Sequence, residues 1–255
     1  MLDRELEYKK MAKVESKLWW YNILHRLVTD KVKKTFKENK EIKILDAGCG
    51  TGGLLQSLQD VGYNDLYGFD FSEHAVKVCL ERSLNVKEMN ILDISSYATD
   101  GPFDVIICND VLYFLSAEEQ NKVMGDVSRL LKPGGIFISN VPALEAFKGT
   151  HDISVGIGKR FDRKMLKEMI KGTSLISQQM MFWPFFLSPL IFLVRFIQRV
   201  KMKKGEVQNI ESDIDIPSPI VNKILLYITK VENFFLSSKP FGSSLFWVLK
   251  NKSNL

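Results

Sequence analysis

Lys43-Ile44-Leu45-Asp46-Ala47-Gly48-Cys49-Gly50-Thr51-Gly52-Gly53 is the stretch on which the reading of this 255-residue chain turns. Its apolar opening reads as a buried strand, and its glycines let the backbone turn tightly and approach a ligand. Leu54-Leu55-Gln56-Ser57-Leu58 then begins a helix, so the whole is a strand-to-helix nucleotide loop. Gly48-x-Gly50-x-x-Gly53 also satisfies the dinucleotide fingerprint, in which a helix N-terminus receives a pyrophosphate. Asp46 argues for another ligand: a carboxylate at the strand's end faces the crevice and suits a cation better than phosphates.

Working outward, Asp65 to Asp70 is a second strand that ends in an acid about twenty residues after the glycines, where a doubly wound fold meets a ribose. Asp70 is therefore the expected ribose ligand. Ser72 can N-cap the next helix, with Glu73 near its positive end. A third strand near Asn85 to Met89 leads into Asn90-Ile91-Leu92-Asp93. Phe103 to Cys108 is almost wholly apolar, as a central parallel strand covered on both faces must be. Its carboxyl end, Asn109-Asp110-Val111-Leu112-Tyr113-Phe114, faces the crevice. Glu118 to Leu131 reads as a helix stopped by Leu131-Lys132-Pro133-Gly134-Gly135, and Ile136 to Val141 as a fifth strand.

From Ile42 to Val141 these motifs resemble the class I S-adenosylmethionine-dependent methyltransferases, whose first motif reads much like Leu45 to Gly52. The resemblance implies a Rossmann-like, doubly wound α/β sheet of seven strands with the last antiparallel. It also implies S-adenosyl-L-methionine, a ligand carrying a sulfonium and an ammonium, held by Asp46, Gly48, Cys49, Gly50, Asp70, Phe71, Asn90, Ile91, Asn109 and Leu112. Asn90 stands where many relatives carry aspartate and can still accept from the adenine amino group through its carbonyl. Relatives often have a glutamate-histidine pair at what is here Tyr113-Phe114, so no histidine base comes from this turn.

Beyond the fifth strand, His151-Asp152 and Lys159-Arg160 look like a bacterial subgroup whose loop carries a His-Asp pair and then a His-x-Arg-Arg run; Ile157 replaces that later histidine. His151 is the expected base, since a histidine near its ordinary pKa of roughly 6.5 takes a proton at neutral pH and Asp152 can orient it. The alternative is a loop brace. Arg160 and Tyr113 are expected to face the acceptor, or Arg160 to be a solvated charge. The helix expected from Glu5 to Lys37 places Trp20, within Trp19-Trp20-Tyr21, either as a lid on the substrate cleft or packed on the sheet.

Ser174 to Phe182 reads as a sixth strand and Ser244 to Lys250 as the returning seventh. One domain results: an N-terminal helical lid over 1–40, a cofactor-binding core over 41–182, an insertion over 183–240 and the final strand over 241–255. Trp183 to Val194 is strongly apolar, falls short of the roughly 20 residues that span a bilayer, and holds two prolines. It reads as an in-plane interfacial helix with a basic end at Arg195, Arg199, Lys201, Lys203 and Lys204. The other reading is a lid packed on a second inserted helix from Pro219 to Leu236, whose stripe is Ile220, Val221, Ile224, Leu225, Ile228, Val231 and Phe235.

Composition bounds the rest. With 45% hydrophobic and 25% charged residues the chain is not disordered. Its net charge of +5 is spread over several segments, so no nucleic-acid partner is indicated. Its three cysteines show neither metal-ligand spacing nor a disulfide framework, and a charged N-terminus is a poor signal peptide; a cytoplasmic protein, peripheral on the membrane through 183–204, is expected. The expected reaction is in-line methyl transfer, most simply to oxygen, on a small or amphipathic acceptor such as a lipid, isoprenoid, glycan precursor or polyketide. A silent cofactor-binding module and a nicotinamide-dependent dehydrogenase are the rival readings.

Overall fold

A computed structural model describes residues 4–203 and 215–252. Seven strands form one sheet: β1 (Ile44–Ala47), β2 (Leu66–Asp70), β3 (Val86–Glu88), β4 (Phe103–Asn109), β5 (Leu131–Pro142), β6 (Leu175–Trp183) and β7 (Ser244–Asn251). Around it lie α1 (Arg4–Val14), α2 (Trp19–Phe36), α3 (Gly53–Asp60), α4 (Glu73–Glu81), α5 (Ala117–Leu130), α6 (Thr150–Val155), α7 (Arg163–Met169), α8 (Ser188–Lys203) and α9 (Pro219–Phe235). The order is β3-β2-β1-β4-β5-β7-β6, with the first five strands parallel and β7 antiparallel to both its neighbours. This is the doubly wound, Rossmann-like sheet that the resemblance implies.

Alternation along the strands explains why the central runs are continuously apolar. Leu45, Ile106, Phe137 and Trp247 point to one face, under α5 and α7. Ile44, Val105, Ile138 and Phe246 point to the other, under α2 and α3. Ser72 caps α4 by accepting from Ala75 N at 3.3 Å, and Ser116 and Glu119 form a capping box on α5. These caps fix the helix starts beside the carboxyl ends of the parallel strands, where the crevice opens.

Three expectations change. The N-terminal helix is two helices, because the chain turns at Glu15 to Leu18 and sends the Glu15 carboxylate to the glycine loop. Leu131 to Gly135 does more than stop a helix: it already belongs to β5, with Leu131 opposite Phe103. Trp183 is not part of the apolar helix, since it ends β6 and is fully buried, and α8 begins only at Ser188.

The two inserted helices take their main contacts from different neighbours and not, as the lid reading had them, from one another. α8 rests on α6 and on the short turn Glu145–Phe147, and α9 rests on α2. Lys204 lies outside the described residues. Among those described, no helix is long and apolar enough to cross a membrane.

Candidate active site

At the carboxyl ends of β1, β2 and β4 lies a cleft of about 1110 Å³. That lies at the upper end of small-ligand clefts, which run to roughly 1,000 Å³. Its floor is the glycine loop. Gly48 and Cys49 both donate from their backbone N–H to Phe69 O, and the Gly50 N–H donates to Asp70 Oδ2 at 2.9 Å, so the loop is pinned to the end of β2. Gly48 sits at φ +81°, and a Cβ there would lie 2.4 Å from a Val111 methyl carbon. Only glycine fits that position without strain.

Four carboxylates converge on this floor. Asp46 is buried at the end of β1, and burial, with Glu15 and Asp70 close by, pushes its carboxyl up to about 8. Asp70 accepts from Gly50 N, from Ser72 N at 3.0 Å and from the Tyr8 hydroxyl at 3.0 Å, and burial still raises its pKa. Glu15 accepts from Thr51 Oγ1 at 2.6 Å and from Gly53 N at 3.0 Å, capping α3 from a distant part of the chain, while Arg82 approaches it at 3.6 Å. Asp110, at φ +55°, accepts from Asn140 Nδ2 with both carboxylate oxygens, Oδ1 at 3.2 Å and Oδ2 at 3.0 Å. Burial pushes it up to about 7, against Asn140 and Arg160, which act to lower it.

Buried acids gathered at one floor favour a cationic ligand over an anionic one. Asp46 shares its surroundings with other acids that raise its pKa, and Asn109 Oδ1, in the same wall, is buried with no hydrogen-bond partner. A ligand bringing a sulfonium and an ammonium would relieve both; a pyrophosphate would aggravate the first.

Residues 38–174, more than half of the chain, match the profile of the family described as "Methyltransferase domain". The chain belongs to the methyltransferase-domain family. Its curated relatives include "O-methyltransferase 3" of Dictyostelium discoideum, 32% identical over 139 residues, which are 50% of this chain and 32% of that protein. A "Ubiquinone biosynthesis O-methyltransferase" of Thiobacillus denitrificans is 34% identical over 105 residues, 39% of this chain and 44% of that one. The matches thus span well under two thirds of those relatives. Among solved structures, an S-adenosylmethionine-dependent methyltransferase of Clostridium acetobutylicum superposes with TM-score 0.59 at 14% identity, covering 96% of this chain and 99% of its own. The N-methyltransferase NodS of Bradyrhizobium japonicum, solved with S-adenosyl-L-homocysteine, gives 0.54 at 13%, covering 94% and 91%. At these identities the two structures establish the shared fold.

Most of the residues expected to hold the cofactor line one cleft: Asp46, Gly48, Cys49, Gly50, Asp70, Phe71, Asn90, Ile91 and Asn109. Leu112 does not. It is fully buried in the core beneath the turn, because the turn's backbone faces the cleft and its leucine packs inward. Asn90 Oδ1 already accepts from Leu92 N at 2.9 Å, capping the short helix Ile91–Thr99, so one of its two lone pairs is committed.

The remaining expected residues depart further from expectation. His151, Trp20 and Tyr113 line the cleft, but Asp152 is fully buried away from it. Its oxygens go to Arg160 Nε at 2.6 Å, Arg160 Nη2 at 3.0 Å and Gly149 N at 2.9 Å. Arg160 also lines the cleft, and its Nη1 donates to Ala143 O and Ser243 O, so its guanidinium braces the loop at the cleft wall. Trp20 stacks on Trp183 with centroids 5.5 Å apart, so it packs on the end of β6 while lining the cleft. Trp183 Nε1 in turn donates to Asn140 Oδ1 at 2.9 Å and so fixes the amide that holds Asp110. Glu15, Tyr8 and Asp110 were not legible as site residues. For Asp110 the signal was present, an acid in the turn after β4; for Glu15 and Tyr8 nothing local in the sequence distinguishes them from solvated helix residues.

Proposed function

We propose that this chain binds S-adenosyl-L-methionine and transfers its methyl group to an amphipathic or small acceptor, most simply at oxygen. The observation that carries the reading is the set of buried acids around Asp46, all of raised pKa, at a glycine loop in a methyltransferase-family sheet. Bound there, the cofactor supplies a methyl group already activated by a sulfonium. Asp46 and Asn109 hold the amino-acid end, Asp70 the ribose, and Asn90 and Ile91 the adenine. Trp20, Tyr113 and Phe114 wall the acceptor side with aromatic surface that excludes water.

A hydroxyl acceptor must lose a proton, and His151 in the same wall takes it at a ring nitrogen. Asp110, at about 7, is a second group there able to hold a proton near neutrality. The names of the curated relatives support oxygen as the methylated atom.

Calorimetric titration with S-adenosylmethionine and S-adenosylhomocysteine, with NADH as control, tests the cofactor. Micromolar binding of the first two and none of NADH is expected; the reverse would return the chain to the dehydrogenase reading. Release of S-adenosylhomocysteine over a panel of prenylated phenols, glycolipid precursors and polyketides then tests catalysis, and silence across the panel with intact cofactor binding would favour a non-catalytic binding module. On an active acceptor, His151→Ala is expected to lower kcat at least tenfold and to remove the acidic limb of the pH profile.

A further inference from the structure

A helix on the surface of a water-soluble domain turns its apolar stripe inward and its polar face to solvent. Both inserted helices depart from this: Phe192 of α8 meets Phe147 and Leu226 of α9 meets the core, but polar groups carry much of the docking and much of the apolar surface faces out. α8 meets the body of the protein through Arg195, Gln198 and Arg199. Gln198 Oε1 accepts from Thr150 N at 3.3 Å and from Arg195 Nη1 at 2.9 Å, and Arg199 Nη1 donates to Ala146 O and Lys148 O at 2.8 and 2.6 Å. Its outward side carries Leu190, Leu193, Phe196 and Ile197, each roughly half exposed or more. α9 likewise docks by polar groups: Asn222 accepts from Trp19 N and donates to Lys17 O, both at 2.9 Å, while Thr229 and Glu232 are fully buried. Outward it shows Ile220 at 73%, Phe234 at 83% and Phe235 at 73% exposure.

The two faces are stitched at one edge. The Glu232 carboxylate accepts from Phe185 N at 2.8 Å and Phe186 N at 2.7 Å, just before α8, and pairs with Lys239 Nζ at 2.6 Å. Phe241 packs on Phe185 at 4.8 Å. Exposed Phe186, Phe241 and the Phe234-Phe235 end of α9 therefore belong to one region of surface. Scattered apolar residues are ordinary on a protein surface; two helices facing outward by their apolar sides are not.

We propose that α8 and α9 together form a docking face for an anionic lipid bilayer, entered by the apolar side chains of both helices. Charge selects this occupant. α8 contains no acid, the single acid of α9 is Glu232 in its buried pair, and Lys201, Lys223 and Lys230 are exposed beside the apolar faces. Neither helix spans a membrane, so they lie in its plane. The basic end at Arg195 and Arg199 is not the lipid contact, because those side chains anchor α8 to the protein.

The face also borders the cleft: Ile191 and Arg195 of α8, and Ile216 and Pro217 just before α9, line it. An acceptor dissolved in the bilayer would enter there, and on this point the inference rests on the methyltransferase reading and narrows its acceptor to a membrane-borne lipid.

Flotation of the full-length protein with phosphatidylcholine vesicles, with and without phosphatidylglycerol, tests the docking. Recovery with the anionic vesicles is expected, reduced but not abolished by high salt. Phe234→Glu/Phe235→Glu on α9 and Leu193→Glu/Phe196→Glu on α8 should each lower the bound fraction at least tenfold, in keeping with the loss of two inserted apolar side chains, with Tm and S-adenosylmethionine affinity unchanged. Absence of wild-type protein from both vesicle types, or variants that float like wild type, would overturn the proposal. So would a wild-type dimer in sedimentation that the same variants convert to monomer, which would assign the face to a second copy. Vesicle binding without S-adenosylmethionine binding would leave the docking standing and remove the methyltransferase reading; the converse would do the opposite.

Discussion

Arg160 and Asp152 form a bidentate ion pair, Nε to Oδ1 at 2.6 Å and Nη2 to Oδ2 at 3.0 Å, with both side chains buried. The pair ties the start of α6 to the ends of β5 and β7, through Gly149 N on one side and the carbonyls of Ala143 and Ser243 on the other. It thereby sets the position of His151, the neighbouring residue in the cleft wall.

Removing one partner from such a pair strands the other in the interior, which costs about 3–5 kcal/mol. Asp152→Asn and Arg160→Met are therefore expected to lower Tm on the order of 10 °C, read by thermal circular dichroism. An unchanged Tm with a changed pH–rate profile would instead give Asp152 back its expected role beside His151.

The acid at the end of β1 makes cofactor affinity depend on pH. Asp46 ionises near 8 in the folded protein against 3.8 for the free side chain. Between those values the folded state keeps a proton that the unfolded state has lost, so this group's contribution to stability is lost as pH rises through about 8. A cationic ligand prefers the ionised carboxylate, so its binding releases a proton below that pH and tightens as pH rises toward it. Asp46→Asn should weaken S-adenosylmethionine and flatten its pH dependence, while raising the ligand-free Tm more at pH of roughly 9 than at roughly 5. Titration in buffers of different ionisation enthalpy measures the proton directly, and an unaltered proton release in the variant would exclude Asp46 from the site.

Asp70 holds the glycine loop through Gly50 N and is the expected ribose ligand. Hydrogen bonds to a charged group are worth about 1.5–3 kcal/mol each, so Asp70→Ala should weaken S-adenosylmethionine at least tenfold with the fold retained. Affinity equal to wild type would refute the ribose assignment.

Gly48 combines a left-handed backbone with contact against Val111. Gly48→Ala should destabilise through both and weaken the cofactor. Adding Val111→Ala relieves the contact alone, leaving a deficit of about 1–2 kcal/mol against Val111→Ala by itself in urea unfolding. Complete rescue would show that the backbone conformation is not strained.

The sheet and the floor of the cleft were legible because their signals are local. An apolar run followed by glycines, and an acid where a parallel strand ends, encode position in the order of the chain itself, and Asp46, Gly48, Gly50, Asp70 and Asn109 all lie where those patterns put them. Leu112 was misplaced for the same reason: a turn's sequence shows that it reaches the crevice, but not which of its side chains points back into the core.

What the sequence determined by itself was the run of elements, the strand-end acids and the amphipathic character of α8 and α9. Only the tertiary structure decided that Glu15 and Tyr8 come from the N-terminal helices to meet Thr51 and Asp70, that Arg160 pairs with Asp152, and that both inserted helices dock in large part through polar groups. Periodicity tells which residues share a face. Which face is buried depends on the hydrogen-bonding partners that the rest of the fold brings to it, and a buried carboxylate or amide that finds its donors outweighs the pull to hide a leucine.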